Sequence, residues 1–83
     1  MKNTEKELNS FLDYIAAKVK EERRKRNISQ LKLALILGHN STSYVARIEL
    51  RKPGHNYNLS HLFIIAREFG VGICDLLPPD NIN

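Results

Sequence analysis

The chain has 83 residues, enough for one small domain with a limited core. Its 42% hydrophobic and 27% charged residues exclude an intrinsically disordered chain. The net charge is +4, and the cation run "RRKR" at residues 23–26 is typical of a nucleic-acid surface and equally of a helix C-terminus.

Several classes of site are not expected from the residue types present. The single cysteine, Cys74, forms no intramolecular disulfide or cysteine-based zinc site, and we expect it to be a small core residue. His39, His55 and His61 follow no metal-ligand spacing, so we expect no metal and no cofactor. The chain has no glycine-rich phosphate loop and no nucleophile elbow, so we do not expect an enzyme.

The sequence also predicts no secretory signal and no membrane segment. Its start, "MKNTEKELNS", lacks the apolar core of a signal peptide. No apolar stretch approaches the roughly 18 residues of a membrane span. We therefore expect a cytoplasmic protein.

Apolar residues at helical spacing predict a long first helix from about residue 4 to residue 26. They are Leu8, Phe11, Leu12, Ile15 and Val19. Arg23 takes the next apolar position, so we expect it to be half-buried and paired with a carboxylate. Asn27 can take the left-handed conformation that ends a helix.

The next segment, "SQLKLALILG", is compatible with a strand or a helix. The alternating leucines between Leu31 and Leu37 favour a strand. Ser29 as N-cap, Gly38 as a C-terminal stop and the helix propensity of Leu and Ala favour a helix. Because no other segment is rich in β-branched residues, a strand would have no partner, and we predict a helix.

A third helix is predicted over residues 42–49, with Ser41 as its N-cap. Val45 and Ile48 are three residues apart and are expected to face the core. At 100° per residue, the opposite side carries Ser43, Ala46 and Arg47.

Asn58 is the predicted N-cap of a fourth helix, and Gly70 is its stop. The predicted buried face of this helix consists of Leu59, Leu62, Phe63, Ala66 and Phe69. A short fifth helix is predicted over residues 73–77, before the proline pair, and the last residues are expected to form a loose tail.

The second and third helices, joined by a tight turn at Gly38, form a helix-turn-helix. The outer face of the third helix carries only small and polar side chains beside Arg47. Such a face can enter the major groove, which is about 12 Å wide, because nothing bulky blocks it.

The segments "SQLKLA", "YVARIE" and "NLSHLFIIAREFGVGICDLLP" resemble the phage-repressor/Cro-like (XRE) helix-turn-helix family. The resemblance implies an all-α, five-helix, lambda-repressor-like DNA-binding domain with an extended N-terminal helix. The domain would cover residues 15–78, after an N-terminal helical extension (residues 1–14) and before a C-terminal tail (residues 79–83). It also implies a homodimer that binds palindromic operator DNA and regulates transcription.

The resemblance assigns roles by position. The expected base contacts are Thr42, Ser43 and Arg47. The expected phosphate contacts are Ser29, Gln30, Ser41, Tyr44, Arg51, Lys52 and Asn56. Arg23 and Glu49 match a structural ion pair of the family, which supplies the carboxylate that the helical pattern requires.

In addition to the displaced glycine of "ELRKPG", where the family often has Glu-Arg-Gly, the chain departs from the family pattern in two places. It has one extra residue within "HNS", between Gly38 and the third helix. It also has a longer first helix, whose Leu8, Phe11 and Leu12 need a cover. That cover is either a dimer contact or the protein's own fourth or fifth helix.

Three function classes follow from these observations. The first is sequence-specific binding of double-stranded DNA by a small transcriptional regulator, a repressor, with the third helix in the major groove. The second is an antitoxin-like or other protein-binding adaptor with the same fold, which co-purification of a partner would favour. The third is an RNA-binding module, which competition between duplex DNA and structured RNA would separate.

Overall fold

The structure, a computed structural model, describes residues 2–79. Four α-helices follow one another: α1 (Lys2–Lys25), α2 (Gln30–Ile36), α3 (Ser43–Glu49) and α4 (Leu59–Phe69). Within residues 2–79 there is no strand, so the all-α prediction is confirmed and the strand alternative for α2 is wrong. The predicted fifth helix is a single 3₁₀ turn, Ile73–Leu76. Apart from Pro79, the predicted tail lies outside the described residues.

The core lies where α3 packs against both α2 and α1 and where the 3₁₀ turn packs against both α4 and α1. Every one of these elements contributes at least one buried side chain. The largest fully buried ones are Val19, Leu33, Val45, Ile48, Ile65 and Leu76. Because each short helix buries its apolar residues against a neighbour, the fold does not depend on helix propensity alone.

Local capping interactions define most of the helix ends. The Oγ of Ser29 accepts a hydrogen bond from the backbone N–H of Lys32 at 3.0 Å, and α2 begins there. The Oδ1 of Asn58 accepts one from the N–H of His61 at 2.8 Å at the start of α4. Gly70 ends α4 in the left-handed conformation, with φ of 72°. These three predicted caps are confirmed.

The predicted start of α3 is displaced by one residue. The helix begins at Ser43, and Thr42, not Ser41, occupies the N-cap position. The Oγ of Ser41 accepts a hydrogen bond from the N–H of Ser43 at 3.4 Å. Because Ser41 and Thr42 both carry a hydroxyl, the sequence does not decide which of them is the N-cap. The path of the turn after Gly38 puts Thr42 in that position.

Two predictions about buried residues are wrong. Leu59 and Phe63 of α4 are 76% and 57% exposed, because α4 packs through a stripe that includes Ile65 instead. Cys74 is exposed. In a 3₁₀ turn, residues three apart share a side, so Ile73 and Leu76 face inward together and Cys74 points away.

The first half of α1 keeps much of its apolar stripe in solvent. Leu8 and Phe11 are 52% and 42% exposed, so the 3₁₀ turn and α4 do not cover them. Phe11 and Pro78 line a shallow groove on this side of the protein. None of the described helices has the length and apolar character needed to cross a bilayer.

Candidate nucleic-acid interface

The turn between α2 and α3 is set by Gly38, which has φ of 90°. With the chain reversed there, the N–H of His39 donates to the carbonyl of Ala34 at 2.9 Å and closes the C-terminus of α2. The N–H of Gly38 donates to the carbonyl of Leu35 at 3.0 Å. The chain then enters α3, which packs against α2 as the second helix of a helix-turn-helix.

The α3 helix has a buried face and an exposed face. Val45 and Ile48 are fully buried in the core, as predicted. The outer face of α3, consisting of Thr42, Ser43 and Arg47, is exposed to solvent. Of the three predicted base-contact residues, Ser43 and Arg47 are four positions apart and share one side of the helix, and Thr42 flanks that side at the N-cap position. Two of them have short side chains, which leaves the guanidinium of Arg47 as the longest group on this face.

A buried carboxylate connects α3 to the two preceding helices. The Nε and Nη2 atoms of Arg23 donate to the two carboxylate oxygens of Glu49 at 2.9 and 3.0 Å. The side chains of Arg23 and Glu49 are only 10% and 4% exposed. The Nη1 of Arg23 also donates to the carbonyl of Ile28 at 2.7 Å, between α1 and α2.

Gln30 joins the same network. Its Nε2 donates to Oε1 of Glu49 at 2.8 Å, so the amide expected to contact phosphate is already bonded within the protein. One carboxylate thus receives donors from α1 and from the first residue of α2. This network fixes the orientation of α3 relative to both helices.

The other expected phosphate contacts fall into two groups. Ser29, Ser41 and Lys52 are exposed near the ends of α2 and α3. The second group, Tyr44, Arg51 and Asn56, makes contacts within the protein. In this group, the hydroxyl of Tyr44 donates to the carbonyl of Asn56 at 2.7 Å, and the Nε of Arg51 donates to Asp13 at 2.7 Å.

A cluster of rings, absent from the sequence prediction, supports the start of α3. His39 stacks on Tyr44, with centroids 4.4 Å apart and ring planes at 11°. The Nδ1 of His61 lies 3.3 Å from the hydroxyl of Tyr44, and Tyr57 packs edge-on against both. Nothing in the local sequence links His39 to Tyr44, so this stacking could not be predicted from it.

Burial in this cluster changes the titration of its members. Burial lowers the pKa of His61 below its usual 6.5, and the neighbouring His39 lowers it further. Burial raises the pKa values of Tyr44 and Tyr57, so both phenols are neutral at pH 7. Within residues 2–79, no group of His, Cys, Asp and Glu side chains could hold a metal ion.

The cation run at the end of α1 is largely structural. The Nη1 of Arg26 donates to Glu22 at 2.7 Å, and its guanidinium lies 4.8 Å from the ring centroid of Phe69. Lys25 donates to the same Glu22 carboxylate at 3.1 Å. Hydrogen bonds from Arg26 and then Lys25 lower the pKa of Glu22 to about 2. Of the two interpretations of "RRKR", the geometry favours the helix C-terminus.

Comparisons with known proteins agree with this geometry. The helix-turn-helix family model HTH_3 matches residues 19–76, which is more than half of the chain. The "Crystal Structure of Apo-HppE" contains a similar fold, with a TM-score of 0.69 and 27% identity over 88% of this chain. This chain spans only 40% of that solved chain. The curated proteins give no match. The chain therefore belongs to the phage-repressor/Cro-like (XRE) helix-turn-helix family, a family of DNA-binding regulatory domains.

Proposed function

We propose that the protein is a repressor that binds double-stranded DNA at a specific sequence, with α3 inserted into the major groove. The observation that carries this proposal is the exposed outer face of α3, opposite the buried Val45 and Ile48. Thr42 and Ser43 are short enough to let the helix approach base edges, and Arg47 can donate two hydrogen bonds to guanine.

Phosphate contacts position such a helix without reading sequence. Ser29, Ser41 and Lys52 are exposed at the ends of α2 and α3, so we assign this role to them first. Gln30 and Tyr44 are bonded within the protein, and in this proposal they contribute mainly by holding α3 in place.

Selection of bound duplexes from a random pool tests the proposal and identifies the site. On the selected site, Arg47→Ala should cost about 1–3 kcal/mol, and the loss should be confined to one base pair. Lys52→Ala is the matched control, since it should weaken binding to every duplex alike and lower the salt slope by about 1. If both changes have equal effects on all duplexes, the base-reading role of Arg47 is wrong.

We further propose that the protein binds a palindromic site as a homodimer. A seven-residue helix reads only a few base pairs, and a symmetric pair doubles the number read. The exposed Leu8 and Phe11 on α1 supply an apolar surface for the contact between copies.

Sedimentation velocity tests this dimer. Phe11→Lys should convert a dimer to a monomer, because it places a charge in the contact. Leu35→Lys is the control, since Leu35 is also exposed but lies on α2. A wild-type monomer at micromolar concentration, or a Phe11→Lys variant that remains dimeric, would exclude this contact.

A protein-binding adaptor is the second candidate, favoured by the exposed pair Leu59 and Phe63 on α4. Residues four apart on a helix lie side by side, so the pair forms one apolar patch. A partner that co-purifies with the wild-type protein and is lost in Phe63→Ser would support this function. Retention of the same partner by Phe63→Ser would exclude the patch.

A further inference from the structure

Arg51, two residues after the end of α3, has an unusual backbone conformation. Its φ is 57°, in the left-handed region that favours glycine. A residue with a long side chain stays in this conformation where the surrounding structure holds it there. Backbone hydrogen bonds from the N–H groups of Arg51 and Lys52 close the end of α3 around this conformation, and the Arg51 side chain adds further contacts.

The guanidinium of Arg51 contacts three parts of the protein. Its Nε donates to Oδ1 of Asp13 on α1 at 2.7 Å. Its Nη2 donates to Oδ1 of Asn56, in the loop before α4, at 3.3 Å. Its Nη1 lies 3.4 Å from the carbonyl of Ile48, in the last turn of α3. The side chain therefore joins the C-terminal end of α3 to α1 and to the following loop.

Arg47 lies within the turn that these contacts hold. The backbone carbonyl of Arg47 accepts a hydrogen bond from the N–H of Lys52 at 2.9 Å, and the carbonyl of Ile48 accepts one from the N–H of Arg51 at 2.9 Å. A movement of Arg51 would therefore shift the segment that carries Arg47. At an interface that reads bases, small displacements weaken paired hydrogen bonds.

We propose that Arg51 and Asp13 form a latch that positions α3 for DNA reading, and that Arg51 does this instead of gripping a phosphate. The inference rests on the proposed function, because it concerns the same DNA-binding surface. Arg51 and Asp13 are positioning residues, which act on DNA through the orientation of Arg47.

Removal of the Asp13 carboxylate distinguishes the positioning of α3 from the general effect of net charge on DNA affinity. Loss of one carboxylate raises the net charge from +4 to +5, which by itself strengthens binding to any duplex. Loss of the contact between Arg51 and Asp13 should instead weaken binding to the selected duplex. The ratio of specific to non-specific affinity should therefore fall in Asp13→Ala, although affinity for an unrelated duplex rises.

Glu21 provides a matched control. It is an exposed acidic residue on the same helix, and its carboxylate lies 4.0 Å from the ammonium of Lys18. The dissociation constants of the wild type, Asp13→Ala and Glu21→Ala are measured for the selected duplex and for an unrelated duplex of equal length. Glu21→Ala should strengthen both complexes alike, whereas Asp13→Ala should lower the specificity ratio about two- to five-fold. Asp13→Glu should restore part of that ratio.

Arg51→Gly provides a second, independent measurement. Glycine accepts the left-handed backbone without strain, so this variant should fold while it lacks the latch. Its specificity ratio should fall as in Asp13→Ala, and its salt slope should equal that of the wild type. A slope lower by about 1 would assign Arg51 to a phosphate instead and overturn the proposal.

The outcomes also separate this inference from the proposed function. If Asp13→Ala strengthens binding to both duplexes as Glu21→Ala does, the latch has no role in reading. If the wild type itself does not distinguish the selected duplex from the unrelated one, the proposed function fails first.

Discussion

Removal of the Glu49 carboxylate tests whether the buried ion pair holds the three helices together. Glu49 accepts two hydrogen bonds from Arg23 and one from Gln30, and its side chain is 4% exposed. In Glu49→Leu, the Arg23 charge stays buried without its partner, a change that costs about 3–5 kcal/mol. Because Arg23 keeps its hydrogen bond to the carbonyl of Ile28, we expect about 3 kcal/mol.

The assay is urea unfolding at pH 7, followed by far-ultraviolet circular dichroism. For a domain of this size, about 3 kcal/mol corresponds to a fall of roughly 12–24 °C in Tm. Glu21→Gln is the control, because its exposed carboxylate should contribute less than about 0.5 kcal/mol. The double variant Arg23→Met/Glu49→Leu should recover at least half of the loss, because no unpaired charge remains buried.

Two results would refute this reasoning. One is a Glu49→Leu variant that loses no more stability than Glu21→Gln. The other is a double variant whose loss equals the sum of the Arg23→Met and Glu49→Leu losses, because additivity means that the two side chains are not coupled.

Three further predictions are measured by the same unfolding assay. Glu22→Gln removes a carboxylate whose pKa is about 2 in the folded protein. The stability that this carboxylate contributes should be present above pH 4.5 and should disappear as the pH falls towards 2. A difference in unfolding free energy from the wild type that stays constant with pH would contradict this. His61→Gln removes an imidazole whose pKa burial lowers. Because the unfolded chain then binds the proton more readily, the wild type should lose stability relative to this variant below pH 6.5, and parallel pH profiles would argue against it. Leu33→Ala should lower the free energy of unfolding by about 2–5 kcal/mol, because Leu33 is fully buried. Leu35→Ala, on the exposed side of α2, should lower it by less than about 1 kcal/mol. Equal losses would mean that the buried and exposed faces of α2 are misassigned.

The caps of α2 and α4 could be predicted from the sequence because their interactions are local. Ser29 and Asn58 each accept a hydrogen bond from a backbone N–H three residues later. Gly70 ends α4 through its own backbone conformation. The predicted inward positions of Val45 and Ile48 were also correct, because α3 is short and has one clear apolar stripe.

The buried face of α4 could not be predicted in the same way. Its sequence, "LSHLFIIAREF", contains two overlapping apolar stripes, one through Leu59 and Phe63 and the other through Ile65. Both stripes fit the helical period, so periodicity does not choose between them. The 3₁₀ turn Ile73–Leu76 decides, because α4 packs against it.

Contacts between residues far apart in the chain could not be predicted from the sequence either. Arg51 and Asp13 are 38 positions apart, and no local pattern links them. From the family resemblance, Arg51 was expected to contact phosphate. The left-handed backbone and the contacts that hold it are visible only in the fold.

The shared carboxylate of Glu49 has a thermodynamic consequence. Because α1 and α2 both donate to it, α3 cannot shift relative to α1 without breaking a buried ion pair, or relative to α2 without breaking the hydrogen bond from Gln30. We expect a domain with its helices connected in this way to bind DNA as a rigid body. Calorimetry of the complex should therefore give a heat capacity change explained by the contact area alone, with no contribution from folding on binding.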